Sequence, residues 1–304
     1  MRIGFCGLGQ MGAPMALNLL KSGADLIVSS RRSETRTAFG ARGADVTGDH
    51  RELAQAEIVF LCLPDGEVVE DLVAGESGLL PSLVPGQTIV DLSTISYRTT
   101  LRLAGLAAAR KVDFIDAPVS GMKARAIDGT LTVMCGGAAD RIARVEPYLN
   151  AIGSKILHMG GSGTGQLAKL INQLLFDINA AALAEILPMA ARMGLDPRKT
   201  ADVINSGTGK SYASEFFVPR ILQDDFSGGY PMKHAYKDLV SAAEIGANLC
   251  VPLPVLAAAT HTYQAALLKG YGDLDKGGMI RVFEDLLDVR FRAAAGAVVA
   301  AGGT

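Results

Sequence analysis

Cysteine is scarce in this chain and follows no pattern. Cys6, Cys62, Cys135 and Cys250 stand without C-x-x-C or Cys/His spacing, which speaks against a zinc site and against a disulfide framework. Three of the four sit inside apolar runs, where a thiol packs as a small hydrophobe, and no metal ligation is expected. Thiols of this kind suit a reducing cytoplasm. A surplus of charge is missing too: 29 basic against 31 acidic residues leave a net charge of −2. No basic excess points to nucleic acid, and no acidic block points to a disordered tail. No apolar run reaches the roughly 18–20 residues that cross a bilayer. Met1-Arg2-Ile3-Gly4-Phe5 enters a strand pattern with no charged leader before it. The expectation is a soluble chain with no membrane partner.

What is present is enough apolar material for a large core. The 304 residues are 49% hydrophobic and 20% charged, which suggests about two domains on a prior of roughly 100–200 residues each. The first half alternates short apolar strands with amphipathic helices. Strands are expected at 2–6, 25–29, 57–63, 87–92, 112–117, 131–135 and 155–159, with helices at 11–22, 68–72 and 99–110. That alternation predicts a parallel sheet covered on both faces. From about residue 163 the strand pattern stops. Leu167, Leu170, Ile171, Leu174, Leu175 and Ile178 recur at helical spacing in one long helix over 164–193, which Gly194 closes. Shorter helices are expected at 199–206, 214–222, 233–247, 254–269 and 279–288. The fold expected is therefore an α/β Rossmann dinucleotide-binding domain over 1–162, followed by an all-α domain over 163–290 joined through the long helix. Gly160-Gly161-Ser162-Gly163 marks the boundary, and 291–304 reads as a loose Ala/Gly-rich tail.

The first strand runs into Gly7-Leu8-Gly9-Gln10-Met11-Gly12, a G-x-G-x-x-G that opens a helix. Gly7 makes the tight turn, Gly9 lets backbone approach a pyrophosphate, and Gly12 permits close helix–strand packing. Free amides at the helix start then face the phosphates. A glycine-rich turn without a ligand is the plain alternative, but the strand–turn–helix context favours a dinucleotide. NAD sites usually carry an acid about 20 residues further on, for the ribose 2′-hydroxyl. Here the second strand ends in Ser29-Ser30-Arg31-Arg32-Ser33. An acid would repel a 2′-phosphate, whereas arginine and serine offer it charge and donors. NADP(H) is thus favoured over NAD(H), with a solvated turn as the alternative.

Lys169, Asn172 and Gln173 stand at i, i+3 and i+4 on the long helix and share one face. A lysine on a helix is by default solvated, but this one is flanked by two amides and by apolar Leu170, Ile171 and Phe176.

Taken together, these segments resemble the β-hydroxyacid dehydrogenase family, which includes 3-hydroxyisobutyrate dehydrogenase, tartronate semialdehyde reductase and threonate dehydrogenase. The resemblance spans about residues 1–290. Gly7 to Leu19 is similar to the family's dinucleotide signature, and Leu63-Pro64-Asp65 to the loop that lines the cofactor. Asp91-Leu92-Ser93-Thr94 resembles a cofactor-contacting turn, with Thr94 in the binding position. Asp116 to Gly121, continuing to Gly129-Thr130-Leu131, resembles the substrate-binding signature. Gly165 to Gln173 resembles the catalytic signature, with Lys169 at its lysine. Lys237-Asp238 resembles a late pair whose lysine reaches the cofactor. Two departures stand out: Met122 and Arg125 where glycines are frequent, and Gln173 where many members carry a second asparagine.

The resemblance implies an enzyme that moves a hydride reversibly between nicotinamide and a small hydroxy acid or its semialdehyde or keto form. Lys169 would be the acid–base residue, with Asn172 and Ser120 beside it in the chemistry. A free lysine titrates near ~10.4, so work near neutrality asks for burial or neighbouring charge. Ser120, Gly121, Met122, Asn172 and Gln173 would bind substrate, and Arg125 could add a bidentate clamp or remain solvated. The alternatives are an imine or keto reductase of the same fold, whose relatives usually lack the lysine, and a dinucleotide-binding interaction module without turnover. The long helix is apolar around most of its circumference, which suggests a homodimer or homotetramer.

Overall fold

A computed structural model of the chain describes residues 1–293 and divides into two compact units, Met1–Lys169 and Leu170 onward. The expected tail lies outside the described residues from 294. Residues 291–293, however, are not loose. Phe291 is fully buried, its N–H donates to Glu284, and Arg292 pairs with the same buried carboxylate.

In the first unit, β1 (Arg2–Cys6), β2 (Asp25–Ser29), β3 (Asp45–Thr47), β4 (Ile58–Leu61), β5 (Thr88–Asp91) and β6 (Asp113–Asp116) form the parallel part of a nine-stranded sheet. β7 (Val119–Ser120), β8 (Leu131–Gly136) and β9 (Gly153–Gly160) extend it, giving the order β3-β2-β1-β4-β5-β6-β8-β7, with β9 beside β8. The all-parallel expectation is corrected here: β8 runs antiparallel to β6 and β7 and parallel to β9. Helices α1 (Gly12–Lys21), α2 (Ser33–Gly40), α3 (Gly66–Ala74), α4 (Tyr97–Ala109), α5 (Met122–Asp128) and α6 (Ala139–Ile152) accompany the strands.

Side chains alternate between the faces of the strands. Ile3, Phe5, Leu26, Val28, Ile58 and Phe60 enter one apolar cluster. Their neighbours Cys6, Ile27, Val59 and Leu61 enter the other. Burial on both faces is why these strands read as continuous apolar runs. The order reverses between β1 and β4, since β2 and β3 lie to one side and β4, β5 and β6 to the other. In open α/β sheets, ligands bind beyond the carboxyl ends of strands at such a point.

The helix α7 (Thr164–Arg192) starts in the first unit and runs into the second, where α8 (Pro197–Ser206), α9 (Tyr212–Ile221), α10 (Met232–Asn248), α11 (Pro254–Leu268) and α12 (Ile280–Leu287) follow. Gly194 closes α7 with φ +87° and an N–H to Ala191 O. By length and composition alone α7 would also span a bilayer, which corrects the expectation that no such run exists. Its Ala180, Ala181, Ala184 and Leu187 pack with Phe217, Leu239 and Tyr263 in the core of the helical unit. That is the place of a core helix. The architecture is a Rossmann-type sheet followed by a helical domain.

Candidate active site

The glycine turn is built as tightly as its sequence suggests. Gly7 has φ +99°, and a Cβ there would collide with Cys62 O; a Cβ on Gly12 would collide with Gly7 O. Gly9 has no protein atom within 4 Å of a Cβ position. The turn thus packs against the sheet at both ends and opens outward in the middle, as a pyrophosphate cradle requires.

At the end of β2, Ser30 Oγ accepts the Arg32 N–H at 3.2 Å, and Arg31, Arg32 and Ser33 are exposed. Arg36 belongs to the same corner: its Nη1 donates to Ser30 O at 2.7 Å from the second turn of α2. The sequence reading missed it because α2 was not anticipated. After β4, Leu63 N–H donates to Ser93 Oγ at 2.9 Å, so the Leu63-Pro64-Asp65 loop is tied to the turn that holds Thr94. Asp65 itself caps α3, accepting the Val68 N–H at 3.0 Å.

Beneath these loops lie two buried carboxylates, Asp91 at the end of β5 and Asp116 opposite it at the end of β6. Asp91 accepts the Ser93 N–H through one oxygen, while the other is buried with no hydrogen-bond partner among the described residues. Burial pushes its carboxyl up to about 7, the Ser93 hydrogen bonds oppose this, and the charge on Asp116 adds to it. Asp116 is also raised, by burial, against the pull of backbone amides at the start of α7. It accepts from Gly163 N at 2.7 Å and Gln166 N at 3.0 Å. A Cβ on Gly165 would collide with this carboxylate and with Met134 O, so glycine there lets α7 start against β6 and β8.

Gln166 completes the arrangement. Its Nε2 donates to Ser93 O at 2.7 Å and its Oε1 accepts from Ile95 N at 3.2 Å, all in buried surroundings. One turn further along α7, Lys169 is only 8% exposed. The solvated-surface alternative for this lysine is therefore excluded by position.

The substrate signature follows β6. Ser120 is half-buried at the end of β7. Gly121, with φ +141°, precedes α5, and Met122 holds φ +60°. The aliphatic stem of Arg125 folds back over Gly121, its Cδ 2.7 Å from where a Cβ would stand. Arg125 is exposed and has no ion-pair partner among the described residues. Asn172, Gln173 and Lys237 belong to the helical unit. Asn172 is exposed and donates to Gln173 Oε1 at 3.2 Å, while Lys237 is half-buried on α10.

The helical unit also holds a polar cluster that sequence reasoning missed. Lys276, 2% exposed, pairs with buried Asp177 and sits 4.4 Å from the centre of the Phe176 ring. Burial raises the Asp177 carboxyl to about 6, with Lys276 opposing the shift. Among the described residues no group of three or more His, Cys, Asp or Glu could hold a metal ion.

Comparison with known proteins places this geometry. Residues 2–161 match the family model of the NAD-binding domain of 6-phosphogluconate dehydrogenase. Residues 163–283 match that described as NAD-binding of NADP-dependent 3-hydroxyisobutyrate dehydrogenase. The chain is 38% identical to 2-(hydroxymethyl)glutarate dehydrogenase of Eubacterium barkeri, covering 95% of this chain and 96% of that one. It is 32% identical to 2-hydroxy-3-oxopropionate reductase of Escherichia coli K12, covering 93% and 97%. A crystal structure of 3-hydroxyisobutyrate dehydrogenase from Salmonella typhimurium superposes with TM-score 0.85 at 27% identity, covering 93% and 100%.

Proposed function

The chain belongs to the β-hydroxyacid dehydrogenase family and is an NAD(P)-dependent oxidoreductase, and from that premise we propose that Lys169 is its acid–base residue and a small hydroxy acid its substrate. The observation that carries the proposal is the burial of Lys169 one turn beyond Gln166, whose side chain grips the turn that holds Thr94.

The residues present fit a dinucleotide, because the cradle at Gly9 is open while Gly7 and Gly12 are packed. Gly7 to Gly12 would hold the pyrophosphate, with Leu63, Pro64, Asp65 and Thr94 along the cofactor and Lys237 reaching it. Arg31 and Arg32, with Ser30 and Ser33, would read a 2′-phosphate, so NADP(H) is preferred over NAD(H). Arg36 braces that corner through Ser30. When bound, nicotinamide supplies the hydride acceptor or donor. Lys169, as the neutral amine, takes the substrate hydroxyl proton in oxidation and returns it in reduction. Asn172 holds the ammonium or that hydroxyl. Ser120, the Gly121 amide and Gln173 grip the carboxylate and so orient the carbinol carbon.

Arg125 narrows the substrate. Its stem lies over Gly121 and its guanidinium has no ion-pair partner among the described residues, which favours an acid with a second anionic or polyhydroxylated end. The similarity to a dehydrogenase named for a substituted glutarate, a dicarboxylate, supports the same reading. Exposed Ile171, Leu175, Ile186 and Met189 along α7 support assembly with further copies, as a homodimer or homotetramer. Four free cysteines fit a reducing cytoplasm.

The test is a panel of C3–C6 hydroxy acids and semialdehydes, including dicarboxylates, assayed with both NAD(H) and NADP(H). Turnover of a hydroxy acid or its semialdehyde, faster with NADP(H), is expected. Activity confined to imines, or cofactor binding with no turnover on any carbonyl or carbinol, would sink the proposal.

A further inference from the structure

We infer that Gln166 is a positioning residue for the reaction, fixing the turn of α7 that bears Lys169 to the loop that bears Thr94. The inference rests on the reading of Lys169 as the acid–base residue.

A primary amide has one donating and one accepting end, and the Ser93–Ile95 loop presents one acceptor and one donor to it. Gln166 Nε2 meets Ser93 O at 2.7 Å and Oε1 meets Ile95 N at 3.2 Å, so both ends are used and both groups lie on the two sides of Thr94. Few side chains can make that bracket: leucine makes neither bond, and ionised glutamate can accept from Ile95 but opposes Ser93 O with a negative oxygen. The loop is in turn held by Asp91, which accepts from Ser93 N at 3.0 Å, and Ser93 Oγ receives the Leu63 N–H at 2.9 Å. From below, Asp116 accepts the Gln166 N–H at 3.0 Å and the Gly163 N–H at 2.7 Å. The first turn of α7 is thus clamped on two sides, by a carboxylate through its backbone and by a loop through one side chain. Lys169 follows Gln166 by three residues on that helix, where residues three apart share a face. Every one of these bonds lies within the first unit. An amide so placed sets the register between the loop beside the cofactor and the amine that handles the proton.

The chemistry of the bracket supplies a test that a merely structural residue would not answer. A protonated glutamic acid again has one donor and one acceptor, so Gln166→Glu should regain function as acid restores its proton. The groups that face it are Asp116 beneath, Asp91 behind Ser93 and Lys169 along the helix. All are present in the unsubstituted enzyme as well, so the ratio of the two kcat values at each pH reports what the substitution changes, its coupling to these groups included.

The experiment measures kcat for carbonyl reduction at saturating NADPH, per NADPH-binding site, for the unsubstituted enzyme, Gln166→Leu, Gln166→Glu and Lys169→Ala, using the semialdehyde or keto acid found most active. Gln166→Leu is expected to lower kcat by about ten- to hundredfold, the scale of a misplacement near 1 Å. Gln166→Glu should be impaired similarly at pH 8, and its ratio to the unsubstituted enzyme should climb as pH falls to 5.5. The inference is overturned if Gln166→Leu turns over within about twofold of the unsubstituted enzyme while Lys169→Ala is inactive. It is equally overturned if the Gln166→Glu ratio is flat or falls with acid, a readout that decides the matter should Gln166→Leu fail to fold. If Lys169→Ala itself keeps near-normal turnover, the acid–base reading is lost and this inference with it, an outcome reported by that variant alone.

Discussion

The two units bury polar groups in different ways. In the helical unit the buried charge is paired with a buried cation: Lys276 pairs with Asp177 and lies over Phe176. In the Rossmann unit Asp91, Asp116 and Gln166 are all buried at the carboxyl end of the parallel strands, and their partners are backbone groups of neighbouring loops. Among the described residues Asp91 has no such cation, and one buried oxygen of Asp91, like one of Asp177, has no hydrogen-bond partner. An ion pair inside a core acts on stability. Polar side chains that cross-link loops fix the shape of a surface that something else must fill.

The largest effect that sharpens this contrast is expected in the helical unit. Lys276→Met leaves Asp177 buried without its cation and should cost about 3–5 kcal/mol of unfolding free energy, whereas Asp177→Leu with Lys276→Met should recover most of it. Urea unfolding monitored by circular dichroism measures both. Turnover per folded molecule should not change; a loss of kcat at full folding would break the assignment of this pair to stability.

Asp91 provides the counterpart in the Rossmann unit. Its carboxyl is raised in the fold to about 7 from an unfolded value near ~3.9. Its stabilising contribution, as the neutral acid, is therefore complete below about pH 4 and is lost as pH rises through about 7. Asp91→Asn should remove a pH-dependent loss on the order of a few kcal/mol across that window. Unfolding titrations at pH 4, 5.5, 7 and 8 check this, and parallel curves for the two proteins would contradict it.

Two smaller effects bear on what the Rossmann surface receives. Arg31→Ala with Arg32→Ala should weaken NADP(H) by about tenfold or more while NAD(H) barely moves, since each charged hydrogen bond is worth about 1.5–3 kcal/mol. Equal shifts in the two dissociation constants would show that neither arginine reads the 2′-phosphate. Arg125→Gly should lower kcat/KM for a dianionic or polyhydroxylated acid by about tenfold and leave 3-hydroxyisobutyrate nearly untouched. Losses of the same size on both substrates would return Arg125 to a solvated role.

Much of this was legible in the sequence, for physical reasons that also explain the gaps. β1 and β2 lie where the sequence predicts them because strands buried on both faces are unbroken apolar runs, and α7 shows because its period is long and a glycine ends it. β3 and β7, with three and two residues, are too short to carry a period, and α6 hides its apolar face among charges and an internal Pro147. The reversal of β8 was invisible, because pairing direction leaves no mark on a strand's composition. The glycine cradle was readable since each glycine answers a local steric demand. Asp116 and Gln166 stand in the sequence only as parts of signatures: their partners lie 50 and 73 residues away in the chain, a distance at which spacing says nothing. Lys276 and Asp177 are 99 residues apart and escaped notice for the same reason.

The central claim is that one buried lysine of the Rossmann unit handles the substrate proton, and Lys169→Ala measures it most directly. The fluorescence of NADPH itself, excited to the red of every protein side chain, reports binding. The expected result is an NADPH dissociation constant close to that of the unsubstituted enzyme, with kcat on the best hydroxy acid reduced by about two to four orders of magnitude. Near-normal turnover in that variant, with cofactor bound, would contradict the account.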